Sequence, residues 1–195
     1  MTLVLPTVFE GVSIEPTLIT ARNALVPAFG GPEQRRNRMG SRYQLKVKLE
    51  PMEIDDAYEW ADIDDEAETC IFAIPQPGLD TGTPGLPRVR GGGQAGANIV
   101  MDGVTPSYAV RKNQWLTIIT AGQRYCYRAR SDAIASPTGV LALPLRTMLR
   151  VPPADNDAVL LGQPEMEGFC TPDEGCWAID GNHLIAPGFT IKERE

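Results

Sequence analysis

The stretch Tyr43-Gln44-Leu45-Lys46-Val47-Lys48-Leu49 decides the fold. Apolar side chains stand at 43, 45, 47 and 49, and polar ones at 44, 46 and 48. Successive side chains of a β-strand point to opposite faces, so this period of two gives a strand with one buried face and one wet face. The wet face carries Lys46 and Lys48. Pro51 ends the strand, because it has no N–H to donate to a ladder.

Working outward, residues 12–29 mix β-branched and turn residues and predict short strands joined by turns. Gly30-Gly31-Pro32 follows as a loop. Cys70–Ile74 reads as a short apolar strand. Trp115–Thr120 and Arg124–Arg130 read as a hairpin turning around Ala121-Gly122-Gln123, with Tyr125, Tyr127 and Ala129 on one face and Arg124, Cys126 and Arg128 on the other. Further short strands fit 99–101, 140–143, 158–161, Trp177–Ile179 and 189–192. One helix is expected, over 53–66, where Ile54, Ala57, Tyr58 and Ala61 fall at i, i+3, i+4 and i+7. Its acids suit the N-terminal end of the dipole but not the C-terminal end, where fraying is expected. Residues 75–98 are rich in Pro and Gly and read as a long loop or a crossing between domains.

The 195 residues include 19 Gly and 17 Pro. That density excludes coiled coils, helical bundles and helical repeats. The pattern is all-β with one short helix, without βαβ alternation or internal repeat. A hydrophobic share of 43% is enough to build a core.

The net charge of −7 argues against nucleic-acid binding, which needs clustered Lys and Arg. No apolar run approaches the ~20 residues of a membrane-spanning helix. Met1-Thr-Leu-Val-Leu-Pro lacks the basic start and long apolar run of a signal peptide, so a cytoplasmic protein is expected. Four cysteines (Cys70, Cys126, Cys170, Cys176) are then expected as thiols.

The motifs that could carry chemistry lack their structural context. Gly91-Gly92-Gly93-Gln94-Ala95-Gly96 matches G-x-G-x-x-G, but a strand-like segment follows where a phosphate-binding helix should begin. It reads as a flexible loop. Asp62, Asp64 and Glu66 match positions 1, 3 and 5 of a calcium loop, but Ala67 stands where that loop needs Gly. Cys170 and Cys176 have an unusual spacing for a zinc knuckle. His183 is the only histidine, in a Gly-Asn-His loop with no nucleophile elbow in the chain, and it reads as a surface residue. Carboxylate pairs for glycoside hydrolysis stay open. No catalytic, metal or cofactor residue is assigned, and an enzyme is not expected. Nine acids and no base lie between Glu53 and Glu68. They read as a solvated helix face, or as one side of a contact between subunits. For that contact the basic stretch supplies Arg35, Arg36, Arg38, Arg42, Lys46 and Lys48, and the helix supplies Asp55, Asp56, Glu59 and Asp62.

Several segments carry a family resemblance. They include Phe29-Gly-Gly-Pro-Glu-Gln-Arg-Arg-Asn-Arg-Met-Gly-Ser-Arg-Tyr43, Leu49-Glu-Pro-Met52 and Pro75-Gln-Pro-Gly-Leu-Asp-Thr-Gly-Thr-Pro-Gly85. Gly103-Val-Thr-Pro-Ser-Tyr-Ala-Val-Arg-Lys-Asn-Gln-Trp115, Pro164-Glu-Met-Glu-Gly-Phe169 and the ending Phe189-Thr-Ile-Lys-Glu-Arg-Glu195 belong with them. From about residue 25 onward the chain resembles small tail structural proteins of long-tailed bacteriophages and prophages, of the distal-tail or tail-tip type. The resemblance implies a tail-tube-like β-sandwich from residues 1–74 plus 156–195, with a small β-barrel inserted at 75–155. It implies a virion protein, assembled in the bacterial host cytoplasm, that forms a six-fold ring between tail tube and baseplate hub. Its partners would be further copies of itself, the tail tube protein, the hub protein and the tape-measure protein. A neck or tail-completion ring protein, or a tail-borne cell-wall hydrolase, are the alternatives. Some tail-tip proteins hold an iron–sulfur cluster on closely grouped cysteines; the spread of the four cysteines here departs from that pattern.

Overall fold

The alternation at 43–49 is realised in a strand that lies one place in from the edge of a six-stranded sheet. A computed structural model describes residues 2–7, 11–26, 28–64 and 69–194. The first strands are β1 (Thr2–Val4), β2 (Val12–Ile19), β3 (Arg22–Leu25), β4 (Gln34–Asn37) and β5 (Arg42–Leu49). Helix α1 (Ile54–Tyr58) and a 3-10 turn (Ala61–Asp64) lead to β6 (Thr69–Ala73). Then come β7 (Gly85–Val89), β8 (Asn98–Val104), β9 (Ala109–Val110), β10 (Trp115–Thr120), β11 (Gln123–Arg128), β12 (Ala133–Ile134) and β13 (Leu141–Pro144). The last are β14 (Val159–Leu160), β15 (Glu165–Pro172) and β16 (Gly188–Glu193). Strands hold 47% of the chain and helix 4%, so the protein is all-β.

The large sheet runs β1-β6-β15-β16-β5-β2 and is antiparallel apart from the β1–β6 pair. One face carries Tyr43, Leu45, Val47, Leu49, Phe72, Met166, Phe189 and Ile191 into a core that Trp60 and Ile63 cover. Phe72 meets Phe189 edge-on at 5.5 Å, and Trp60 lies 6.0 Å from Phe189. The opposite face is wet over β5, β16 and the end of β15, with Lys46, Lys48, Phe169 and Lys192 exposed, whereas β6 is buried on both faces. At the centre of the sheet Gly168 has no room for a side chain: a Cβ there would strike the carbonyl of Lys192.

A second core gathers Val89, Ile99, Met101, Leu116, Ile118, Tyr125, Tyr127, Leu141, Leu143, Leu145, Val159 and Leu161. Around it stand two three-stranded sheets, β13-β8-β7 and β11-β10-β14. Single bridges, Arg88–Ala158 and Ala129–Leu145, join their edges into a circuit. No continuous ladder closes that circuit into a barrel. The β10–β11 hairpin serves both cores, because its two faces are both buried. Leu116, Ile118, Tyr125 and Tyr127 point into the second core, while Trp115 and Cys126 join the first. The facing expected for Tyr125 and Tyr127 against Cys126 is therefore as the alternation predicted.

Three expectations need correction. Helix 53–66 is shorter: α1 stops at Tyr58, and the 3-10 turn follows. Glu53 makes no side-chain cap, so only the first-turn acids Asp55 and Asp56 favour the N-terminal end, and no base stands in the last turn to hold the other. Glu66 and Ala67 lie outside the described residues. Segment 75–98 is not one long loop, because β7 forms inside it and pairs with β8 through a register shift between Gly85 and Arg88. Gly85 and Gly103 both have positive φ there, and each leaves room for the other strand's backbone. Trp177–Ile179 is not a strand: the chain turns from Glu174 to Trp177, and Ile179 makes a single bridge to Ile185. Gly175, at φ 77°, permits that turn.

Candidate assembly interface

The antiparallel pairing of β2 with β5 runs from Val12–Leu49 to Ile19–Arg42. It continues past the sheet as a second ladder, β3 with β4, from Arg22–Asn37 to Leu25–Gln34. The two ladders are coupled through Arg38 N–H donating to Ala21 O (3.1 Å) and Ala21 N–H donating to Ser41 Oγ (3.1 Å). The result is a two-stranded arm, residues 20–41, standing off the body. Every described residue from Arg22 to Gly40 is exposed. Leu25, Val26, Phe29 and Met39 are among the exposed large apolar side chains. An isolated two-stranded ribbon is marginal in water at best. This arm has an apolar tip and no core of its own to stabilise it.

The basic candidates lie along this ribbon. Arg35 and Arg36 are on β4, Arg38 follows it, and Arg42 is half-buried at the root. Arg35 pairs with Glu33 at 2.9 Å within the arm. Lys46 and Lys48 are on the wet face of β5, where Lys46 lies 3.5 Å from Asp173. Both members of that pair are solvent-accessible, so it contributes little to stability. The acidic candidates are elsewhere: Asp55 and Asp56 in α1, Glu59 at its C-cap, and Asp62 in the 3-10 turn, all exposed. Trp60 and Ile63 pack on the buried face of β5. The acids therefore lie on the side of the sheet opposite to Lys46 and Lys48, and one chain does not bring the two groups together. The arm holds Arg22, Arg35, Arg36 and Arg38 against Glu33, a net +3 in a chain of net −7; the remainder carries −10.

The strongest electrostatic feature is one that local sequence patterns did not mark. Glu193, on the last strand, is 1% exposed. Its carboxylate accepts hydrogen bonds from Tyr43 N–H (2.9 Å), from Cys126 N–H (2.6 Å) and from the Arg150 guanidinium. Arg150 also stacks over the Tyr125 ring at 4.8 Å and donates to Arg194 O. Beside it Arg124 reaches Glu165 and, at 3.9 Å, Glu167, which is itself buried. This seam ties β5 and β16 of the large sheet to the β10–β11 hairpin. Burial pushes the Glu193 carboxyl up to about 7, against the opposing pull of Arg150 and the two backbone N–H groups. Burial likewise pushes the Tyr43 phenol up to about 12 and the Cys126 thiol well above its ordinary value.

The other residues weighed from sequence have structural explanations. The Gly91–Gly96 loop is ordered by the side chains of Gln94 and Asp155 together with backbone bonds such as Gly93 N–H to Pro153 O. Gln94 Nε2 donates to Arg90 O, Gly91 O and Val100 O, and Gln94 Oε1 accepts from Val100 N–H at 2.7 Å. Asp155 accepts from Gly91 N–H at 2.7 Å. The flexible-loop reading is therefore corrected: an amide completes the hydrogen bonding that the short loop leaves open. His183 is exposed, at φ 64°, in a turn held by Asp180, whose carboxylate accepts from Asn182 and Leu184 N–H. The four cysteines are thiols, not disulfides. Cys70 and Cys176 lie in the first core with Cys170 packed against it, and a hydrogen bond with Cys70, followed by burial, pushes the Cys170 thiol up. Among the described residues no group of three or more His, Cys, Asp and Glu has the arrangement of a metal site, and no helix is long and apolar enough to cross a membrane. No protein-family model matches the sequence, and a search of curated proteins finds no match.

Proposed function

We propose that this chain is a structural protein of a long-tailed phage particle, forming a ring at the distal end of the tail between tail tube and baseplate hub. The observation that carries the reading is the arm. The described residues from 22 to 40 are all exposed, so ordering them into a ribbon spends conformational entropy with little burial in return, and apolar side chains stand at its tip. Such an element is stabilised by a surface outside the chain, and its positive charge in an acidic protein suits further copies of the same molecule. The family resemblance, which begins at the arm's own sequence, supports the same reading and supplies the six-fold symmetry and the neighbours. In this reading the large sheet is the tail-tube-like core, the second core is the inserted unit, and the function is shape and contact.

The test is self-assembly of the purified full chain, by sedimentation velocity and negative-stain electron microscopy. Rings are expected as concentration rises, and an antibody against the chain should label particle tails at one end. A chain that stays monomeric to its solubility limit and is absent from virions overturns the proposal.

A further inference from the structure

Resting on the self-assembly reading, we propose that the arm tip of one copy seats in a specific groove on the next copy. That groove lies over the seam between β7 and β14. It has a volume of about 550 Å³ and an apolar wall of Pro84, Leu86, Pro87, Ala158, Leu160 and Gly162.

Three observations converge on it. First, the seam is short: Arg88 bridges Ala158 and Val89 exchanges backbone hydrogen bonds with Asp157 and Asn156, so the outer edge of β7 runs past its ladder partner only at its Gly85 end. Exposed edges of this kind are covered or blunted in stable assemblies. Secondly, Leu86 on that edge is 87% exposed, an apolar side chain in the same condition as Leu25, Val26 and Phe29 on the arm. The groove volume exceeds that of a phenylalanine side chain, so there is room for one apolar residue of the tip. Thirdly, the arm carries net +3 and the rest of a second copy −10, so the arm itself is drawn to that copy's body, although two chains of −7 repel as wholes.

The placement also explains why the contact would make a ring. The arm leaves the large sheet at the β5–β2 end, whereas the groove lies beside Glu165, where β15 pairs with β6 toward the other end. Two different patches meet, so the contact is head-to-tail, and such contacts close into rings when the rotation permits.

Sedimentation velocity of the full chain compares wild type, Phe29→Asp and Leu86→Asp. Both positions are solvent-exposed in a single copy, so neither substitution loads the fold. Each is expected to weaken self-association about thirty-fold, the effect of losing one well-packed anchor. Mixing Phe29→Cys chains with Leu86→Cys chains under mild oxidation should give a crosslinked dimer that neither chain gives alone. If Phe29→Asp weakens association while Leu86→Asp behaves as wild type and no mixed dimer forms, the groove assignment is overturned and self-assembly stands. A wild-type chain that remains monomeric throughout overturns both.

Discussion

Arg150→Met is expected to destabilise the protein, and more so at pH 8 than at pH 5. Glu193 is buried and accepts hydrogen bonds from the Arg150 guanidinium and from two backbone N–H groups. Removing one member of a buried pair leaves the other charged and uncompensated, which costs about 3–5 kcal/mol. In a chain of this length that lowers Tm by about 6–20 °C. The pH dependence follows from linkage. Burial already raises the folded-state Glu193 to about 7, above its ordinary 4.5. Between those values the folded protein binds more protons than the unfolded one, so stability falls as pH rises through the window. Arg150 pulls the value down; its removal raises the folded value further and extends the fall to higher pH. At pH 5 the carboxyl is protonated with or without Arg150, so the deficit shrinks by about 1 kcal/mol, the linkage between a wild-type value of about 7 and pH 8, and the lost hydrogen bonds and the contact with Tyr125 remain. Adding Glu193→Leu removes the charge but orphans the N–H groups of Tyr43 and Cys126, so the double variant stays destabilised with little pH dependence. Urea unfolding of the three proteins at pH 5, 6.5 and 8 measures all of this. An Arg150→Met deficit below about 1 kcal/mol, or one equal at pH 5 and pH 8, would refute the role given to the seam.

Other outcomes are accessible with the same protein. Gly168→Ala drives a Cβ into the Lys192 carbonyl between β15 and β16; a loss of about 3 kcal/mol or more is expected in a thermal melt, and a wild-type Tm would show that the strands separate easily. Gln94→Ala removes four hydrogen bonds from the Gly91–Gly96 loop. It should cost about 1–3 kcal/mol and raise amide exchange at Val100, and unchanged exchange would mean that backbone alone orders the loop. Arg35→Glu with Arg36→Glu and Arg38→Glu reverses the arm's charge. It should abolish self-association at low salt, while raising salt from ~0.05 to ~0.5 M should weaken the wild type; association indifferent to both would remove the electrostatic half of the interface argument.

What was legible in the sequence was what a single local pattern determines. β5 was readable because one of its faces is buried and the other wet, and the β10–β11 hairpin because its turn and the alternation of Tyr125, Cys126 and Tyr127 lie within a few residues. β15 was missed for a complementary reason. Glu165, Glu167 and Gly168 break any apolar alternation, yet two of them belong to the seam with Arg124 and one admits the backbone of β16. Their justification lies some forty residues away, or on another strand, where no local pattern reaches. β7 was hidden among Gly and Pro because it is an edge with a bulge, the setting in which strands tolerate those residues.

The same reasoning bears on the interface. Arg35, Arg36, Arg38 and the helix acids were legible as charge runs, but the sequence could not say on which surfaces they stand. The fold separates them: arginines on a projecting ribbon, lysines on the wet face of the sheet, acids beyond the other face. Charges meant to stabilise one chain are brought together by its own folding, as Arg150 and Glu193 are. Charges of opposite sign that folding holds apart, on a protein whose basic element is also its least supported, are the ones the proposed contact between molecules would use. A ribbon with Phe29 and Leu25 in water is a poor way to end a monomer and a serviceable way to begin a contact. That contrast, between a seam satisfied within the chain and an arm left unsatisfied, is the physical reason to look for this protein's function in its assembly.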